Sequence, residues 1–171
     1  MQTTKSISCE RRVALLLGSE SDIGLVEPAC KVLKELEIPF VQRILSAHRL
    51  GDETADFAAR AQQEGFAVLI AAAGKAAHLA GALASRTLLP VIGIPLSTSL
   101  SGLDSLLSTV QMPSGYPVAT VAIDGSANAA LLAAQILALN DEALRQRLQQ
   151  RREKQAAQVR EADMRFQRSF T

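Results

Sequence analysis

The chain has 171 residues, 48% of them apolar and 20% charged, with a formal net charge of +1. That length suits one domain that buries a sound core without metal or disulfide staples. The balanced charge argues against a nucleic acid or an anionic membrane as partner, and an aromatic content of 4% without Trp argues against base stacking on a sheet surface.

Taken in order, a polar lead containing Cys9, read as a free thiol, gives way to an apolar run at 13–17 that predicts a strand. A polar turn, GSESD at 18–22, joins it to a helix predicted over 22–37, with an apolar stripe at Leu25, Val26, Ala29, Cys30, Leu33 and Leu36. Cys30 on that stripe reads as a buried small hydrophobe. Ile38-Pro39 ends the helix and starts a strand over 41–45. Further strands are predicted at 68–72, 91–94 and 118–122, and further helices near 52–64, 77–87, 103–110 and 128–139. The strand runs are short and apolar on both faces, as a parallel sheet covered on both sides requires. Alternating strands and helices with right-handed crossovers predict a three-layer α-β-α sandwich, a five-stranded parallel sheet of flavodoxin-like type.

From 141 to about 165 the texture becomes charged and helical, with a thin apolar line at Leu144, Leu148, Val159, Ala162 and Phe166. So few apolar residues do not sustain a long helix alone. The expectation is an α/β catalytic domain over 1–140 and a C-terminal helical extension over 141–171 that packs on neighbouring subunits. No apolar run of signal-peptide length lies in the first twelve residues and none approaches membrane-spanning length. A cytoplasmic protein is expected.

Three polar turns follow the first three strands. They are GSESD at 18–22, SAHR at 46–49, and AGKAAH at 73–78. Ligands in open α/β sheets bind beyond the carboxyl ends of the strands, so these turns predict one shared site containing both histidines, His48 and His78. Imidazole suits proton transfer near neutral pH. The junction at Gly18, Ser19, Ser21 and Asp22 offers helix-terminal N–H groups and hydroxyls to an anion, fitting a monophosphate better than a Walker-type polyphosphate. Asp22 reads either as a helix cap or as a carboxylate for ribose hydroxyls. Arg49 supplies a planar cation for phosphate or carboxylate. Neither histidine has a His, Cys or carboxylate at metal-ligand spacing, so no metal is expected. Asp104 and Ser105 lack a nucleophile elbow and do not predict a hydrolase.

These motifs resemble the PurE family of de novo purine biosynthesis. The resemblance runs from about Val13 to Asn140 and includes AAAGKAAHLAG at 71–81, LPVIGIPL at 89–96, SGLDSLLSTVQMPSGYPVATVAI at 101–123 and NAALLAAQILA at 128–138. AAHL at 76–79 and VQMP at 110–113 are similar to the class I branch, the mutases; the class II branch, which carboxylates the nucleotide with free carbon dioxide, usually has Ser-Asn near the AAH position. The resemblance implies a cofactor-free shift of a carboxylate from an exocyclic nitrogen to a ring carbon of aminoimidazole ribonucleotide. It implies that Ser19, Asp22 and Arg49 hold the ribonucleotide, with Gly18, Ser21 and Ser46 beside them. His48 would shuttle the proton. The loop of Gly74, Lys75, Ala76, His78 and Leu79 would close over the base and carbon dioxide, and eight chains would assemble. The chain departs from the family pattern at Gly74-Lys75, where Gly-Gly is usual, and at Leu50-Gly51, Ala72, Ala80 and Ile23; the turn at 124–126 is about two residues shorter. A carboxylase or paralogue acting on a related heterocycle, and a non-catalytic nucleotide-binding protein, are the alternatives.

Overall fold

The computed structural model describes residues 12–170; Cys9 lies outside them. Five strands form one parallel sheet: β1 (Arg12–Leu17), β2 (Phe40–Ile44), β3 (Phe66–Gly74), β4 (Val91–Leu96) and β5 (Ala119–Thr120), in the order β2-β1-β3-β4-β5. Six helices connect and extend them: α1 (Ile23–Glu35), α2 (Gly51–Arg60), α3 (Leu79–Ala84), α4 (Leu103–Val110), α5 (Ser126–Ala138) and α6 (Glu142–Arg168). This is the expected three-layer flavodoxin-like arrangement with an extended C-terminal helix.

Strand alternation sorts the core into two layers. Val13, Leu15 and Leu17 of β1 join Val68, Ile70, Ile92 and Ile94 under α1 and α5. Ala14 and Leu16 face the other way with Leu69, Ala71 and Val91, covered by Phe57 and Ala58 of α2 and by Leu79 and Leu83 of α3. At α5 four alanines (129, 130, 133 and 134) are fully buried, and these small side chains let that helix lie close on α1 and the sheet.

Several elements differ from the predicted ones. β2 is an edge strand whose Gln42, Arg43 and Ile44 are exposed, so it lacks the two-sided burial expected of it. β5 is two residues long because β4 carries Pro95, which has no N–H to extend the ladder. Val121 and Asp124 still send N–H groups to Gly93 and Pro95 carbonyls, at 3.1 and 2.9 Å. The α1 stripe is centred on Val26, Ala29, Val32 and Leu33, leaving Leu25 exposed and Cys30 half-buried. The Cys30 thiol lies 3.7 Å from Gln42 Oε1 on β2, and burial pushes its pKa up.

Helix α4 is turned inside out relative to α1. Its buried residues are Ser105 and Thr109, while Leu103, Leu107 and Val110 are exposed. Ser105 Oγ donates to the Leu96 or Gly102 carbonyl and Thr109 Oγ1 to that of Ser105, so both hydroxyls are satisfied in the core. An added Cβ on Gly93 of β4 would meet Thr109 Cγ2 at 2.3 Å, so α4 seats against bare strand backbone.

Helix α6 runs 27 residues, about 40 Å at helical rise. Asp141 caps it through the Leu144 N–H. Its first turns pack on the same chain, with Leu144 buried, Leu148 against the core and Arg147 Nε donating to the Leu36 carbonyl at 3.0 Å. Arg151 pairs with Glu35. Beyond this, Val159, Met164 and Phe166 are exposed.

Candidate active site

The order β2-β1-β3 reverses direction at β1, and in doubly wound sheets this switch point opens the ligand crevice. A cavity of about 680 Å³ lies there, lined by the turns that leave β1, β2, β3 and β4. Its lining includes every residue singled out in the sequence: Gly18, Ser19, Ser21 and Asp22; Ser46, His48 and Arg49; Gly74, Lys75, Ala76, His78 and Leu79.

The turn after β1 is tied to the sheet by the Gly18 N–H on the Ala72 carbonyl, 3.0 Å away. Ser19 Oγ accepts from the Ser21 N–H at 3.3 Å, and Ser21 Oγ lies 2.9 Å from Ser19 Oγ and 3.2 Å from Asp22 Oδ1. Asp22 stands at the N-cap position of α1 yet makes no capping hydrogen bond. It is 4% exposed, and burial drives its pKa up against the opposing hydrogen bonds of Ser21 and Ser19. A buried carboxylate that neither caps its helix nor meets a cation is available to ligand hydroxyls.

The turn after β2 starts where the Leu45 N–H reaches the Leu17 carbonyl at 2.8 Å, with Leu45 buried. The Ser46 carbonyl then accepts from Arg49 and Leu50 N–H groups, folding residues 46–50 into a tight turn that presents His48 and Arg49. After β3, the Ala77 N–H returns to the Lys75 carbonyl and the His78 N–H to that of Ala76. Buried Ala77 and Leu79 pin this loop while His78 between them stays exposed.

The two loops meet through their imidazoles. His48 Nε2 lies 2.5 Å from His78 Nδ1, with ring planes at 78°. One hydrogen fits between these nitrogens, so one ring donates and the other accepts. His48 Nδ1 and His78 Nε2 are the nitrogens this contact leaves over.

Thr98, after β4, also lines the cavity and carries no motif that would announce it. A Cβ on Gly74 would fall 2.0 Å from Thr98 Oγ1, so only glycine fits where β3 ends. Thr98 is held by flanking clamps: Ser97 donates to Asp124 and Ser99 Oγ to Asp104. Asp104 and Ser105 are thus occupied in structure and do not line the cavity. Among the described residues no three His, Cys, Asp or Glu side chains gather closely enough to hold a metal ion, and no helix is long and apolar enough to cross a membrane.

Fold and site together define a flavodoxin-like α/β enzyme scaffold with a histidine pair in the crevice beyond the strand ends. The family described as AIR carboxylase matches residues 12–158, and the chain belongs to that family. It is 53% identical to the N5-carboxyaminoimidazole ribonucleotide mutase of Brucella melitensis over 152 residues, covering 87% of this chain and 94% of that one. It is 51% identical to the mutase of Haemophilus influenzae over 151 residues, with 86% and 92% covered. The crystal structure of Treponema denticola PurE superposes with a TM-score of 0.82 at 30% identity, covering 91% of this chain and 98% of that one.

Proposed function

We infer that this protein is a carboxyl-shift mutase of purine biosynthesis, an isomerase converting N5-carboxyaminoimidazole ribonucleotide to 4-carboxyaminoimidazole ribonucleotide. The observation that carries the reading is the His48–His78 contact inside a crevice whose phosphate turn and cations suit a ribonucleotide. Relatives at about half identity bearing that activity in their names support it.

In this reading the Ser19–Ser21 turn and Arg49 hold the phosphate, and Asp22 accepts from ribose hydroxyls. His48 gives a proton to the exocyclic nitrogen as the nitrogen–carboxylate bond breaks and releases carbon dioxide into the closed loop. The ring carbon then attacks that carbon dioxide, forming the carbon–carbon bond, and His48 takes back the proton which that carbon carried. Protons therefore balance and no cofactor is needed. His78, bonded to His48, fixes the orientation and tautomer of the shuttle. The test is to supply purified protein with each carboxylated ribonucleotide and follow interconversion by ultraviolet absorbance. Interconversion without added bicarbonate supports the mutase. A requirement for free carbon dioxide would make the protein a carboxylase, and no turnover would leave a binding protein.

The same reading places the enzyme in the cytoplasm as a homo-octamer, with the distal part of α6 resting on a neighbouring subunit. Supporting it are the outward Leu103, Leu107 and Val110 of α4 and the exposed Met164 and Phe166 of α6, since contiguous exposed apolar side chains mark interaction surfaces. Light scattering at micromolar concentration should return the mass of eight chains, and truncation after Asn140 should lower it. A monomeric mass for the intact protein would overturn the assembly.

A further inference from the structure

We propose that Lys75 is the cation that holds the migrating carboxylate and thereby makes the site prefer carboxylated over uncarboxylated ribonucleotide; this rests on the mutase reading above. Lys75 lines the cavity with φ at +54°, in the left-handed region where a Cβ is costly. Its surroundings hold it there. Gly74 before it is locked against Thr98, and the Lys75 carbonyl accepts the Ala77 N–H at 2.8 Å. Glycine would adopt this conformation without strain, whereas the chain spends stability to keep a long cationic side chain. Strain held at a cavity wall points to a role in what the cavity binds.

The charges of the cavity narrow that role. Arg49 and Lys75 are its cationic side chains apart from the imidazoles, and Asp22 is its one carboxylate among the described residues. Among those residues no carboxylate lies within ion-pair distance of Lys75. Arg49 follows β2 and Lys75 follows β3, on opposite flanks of β1, whose turn carries the serines. The substrate has two anionic groups, a phosphate and a carboxylate. With the phosphate on the β1 turn and Arg49, the remaining cation matches the remaining anion. In this role Lys75 faces a carbamate in the substrate, neutral carbon dioxide midway, and a ring carboxylate in the product. It therefore strengthens binding at both ends of the reaction more than it speeds the step between them.

Calorimetric titration of the wild type and of Lys75→Met, Lys75→Gly and Lys75→Arg with two probes tests this. The probes are 4-carboxyaminoimidazole ribonucleotide and its uncarboxylated parent. Loss of a charge-assisted contact should weaken the carboxylated probe roughly ten- to a hundredfold in the Met and Gly variants. The parent nucleotide should bind as in the wild type, and the Arg variant should retain most of the preference. In steady state KM should rise with kcat nearly unchanged. Lys75→Gly relieves the backbone strain, so a folding defect does not imitate the result. An unchanged affinity ratio would overturn the proposal, and equal weakening of both probes would reassign Lys75 to the phosphate. A wild type that fails to interconvert the nucleotides would sink the mutase reading, while the two-probe comparison still reports separately on Lys75.

Discussion

Helices α1 and α4 lie on opposite faces of the same sheet, each entered through a serine-bearing turn after a strand, yet they invert one another. Helix α1 presses Val26, Ala29, Val32 and Leu33 into the core, and its N-terminal Asp22 lies in the cavity without serving as a cap. Helix α4 buries Ser105 and Thr109 and turns Leu103, Leu107 and Val110 outward, while its entry turn is satisfied internally by Ser99 and Asp104. Helix α1 thus keeps its apolar residues inside and leaves Asp22 uncapped at the cavity. The reverse arrangement leaves the apolar side chains of α4 exposed, the face proposed above for assembly.

The largest effects should separate these two helices. Leu33→Asp places a charge at a fully buried position of α1 and should cost more than about 4 kcal/mol, abolishing the cooperative thermal transition followed by circular dichroism. Leu107→Asp on α4, at 49% exposure, should leave each chain folded but reduce the particle mass in sedimentation. A variant that keeps full-size particles would show that α4 is not an assembly face.

Next in size is the chemistry at the α1 end of the sheet. His48→Asn should lower turnover by about two to four orders of magnitude, the usual cost of losing a proton-transfer group, with nucleotide binding and melting temperature little changed. Near-normal activity would remove His48 as the shuttle. Arg49→Ala should instead weaken ribonucleotide binding about tenfold or more through a lost charge-assisted contact. Unchanged binding would show that the phosphate lies elsewhere.

Much of this was readable in the residues themselves. β1, β3 and β4 are apolar on both faces, so their burial and parallel pairing followed from composition and period. The polar turns after β1, β2 and β3 located the cavity because strand direction fixes which loops converge. The histidine contact was not readable, since residues thirty apart meet only through the geometry of two loops. Thr98 was silent for a related reason: its importance comes from occupying the space a Gly74 side chain would need. The run at 41–45, read as apolar on both faces, in fact holds Gln42 and Arg43, whose polar side chains suit the exposed edge that β2 forms. For α4 both faces were visible as a pattern, Ser105 and Thr109 against Leu103, Leu107 and Val110. Periodicity reports that faces differ but not which one meets the sheet, and here the bare backbone at Gly93 admits the small polar side chains.

The smallest expected effect sharpens the contrast at the α1 terminus, because it opposes stability to binding. Burial holds the Asp22 pKa above its ordinary value, so the native state binds this proton more tightly than the unfolded chain does. The stabilisation linked to that proton is fully present below the ordinary aspartate range. It is lost as pH rises through the elevated native pKa, above which the folded protein bears the cost of an ionised, desolvated carboxylate. Asp22→Asn removes that charge. Its melting temperature should exceed that of the wild type at pH 7, and the two should converge as pH falls below the aspartate range. Ribonucleotide affinity should fall in the same variant, because an amide accepts less strongly than a carboxylate from ribose hydroxyls. Melting curves across pH, paired with titration of the nucleotide, read both effects. A variant less stable at pH 7 would mean that Asp22 serves the fold after all, making the α1 terminus as self-satisfied as that of α4.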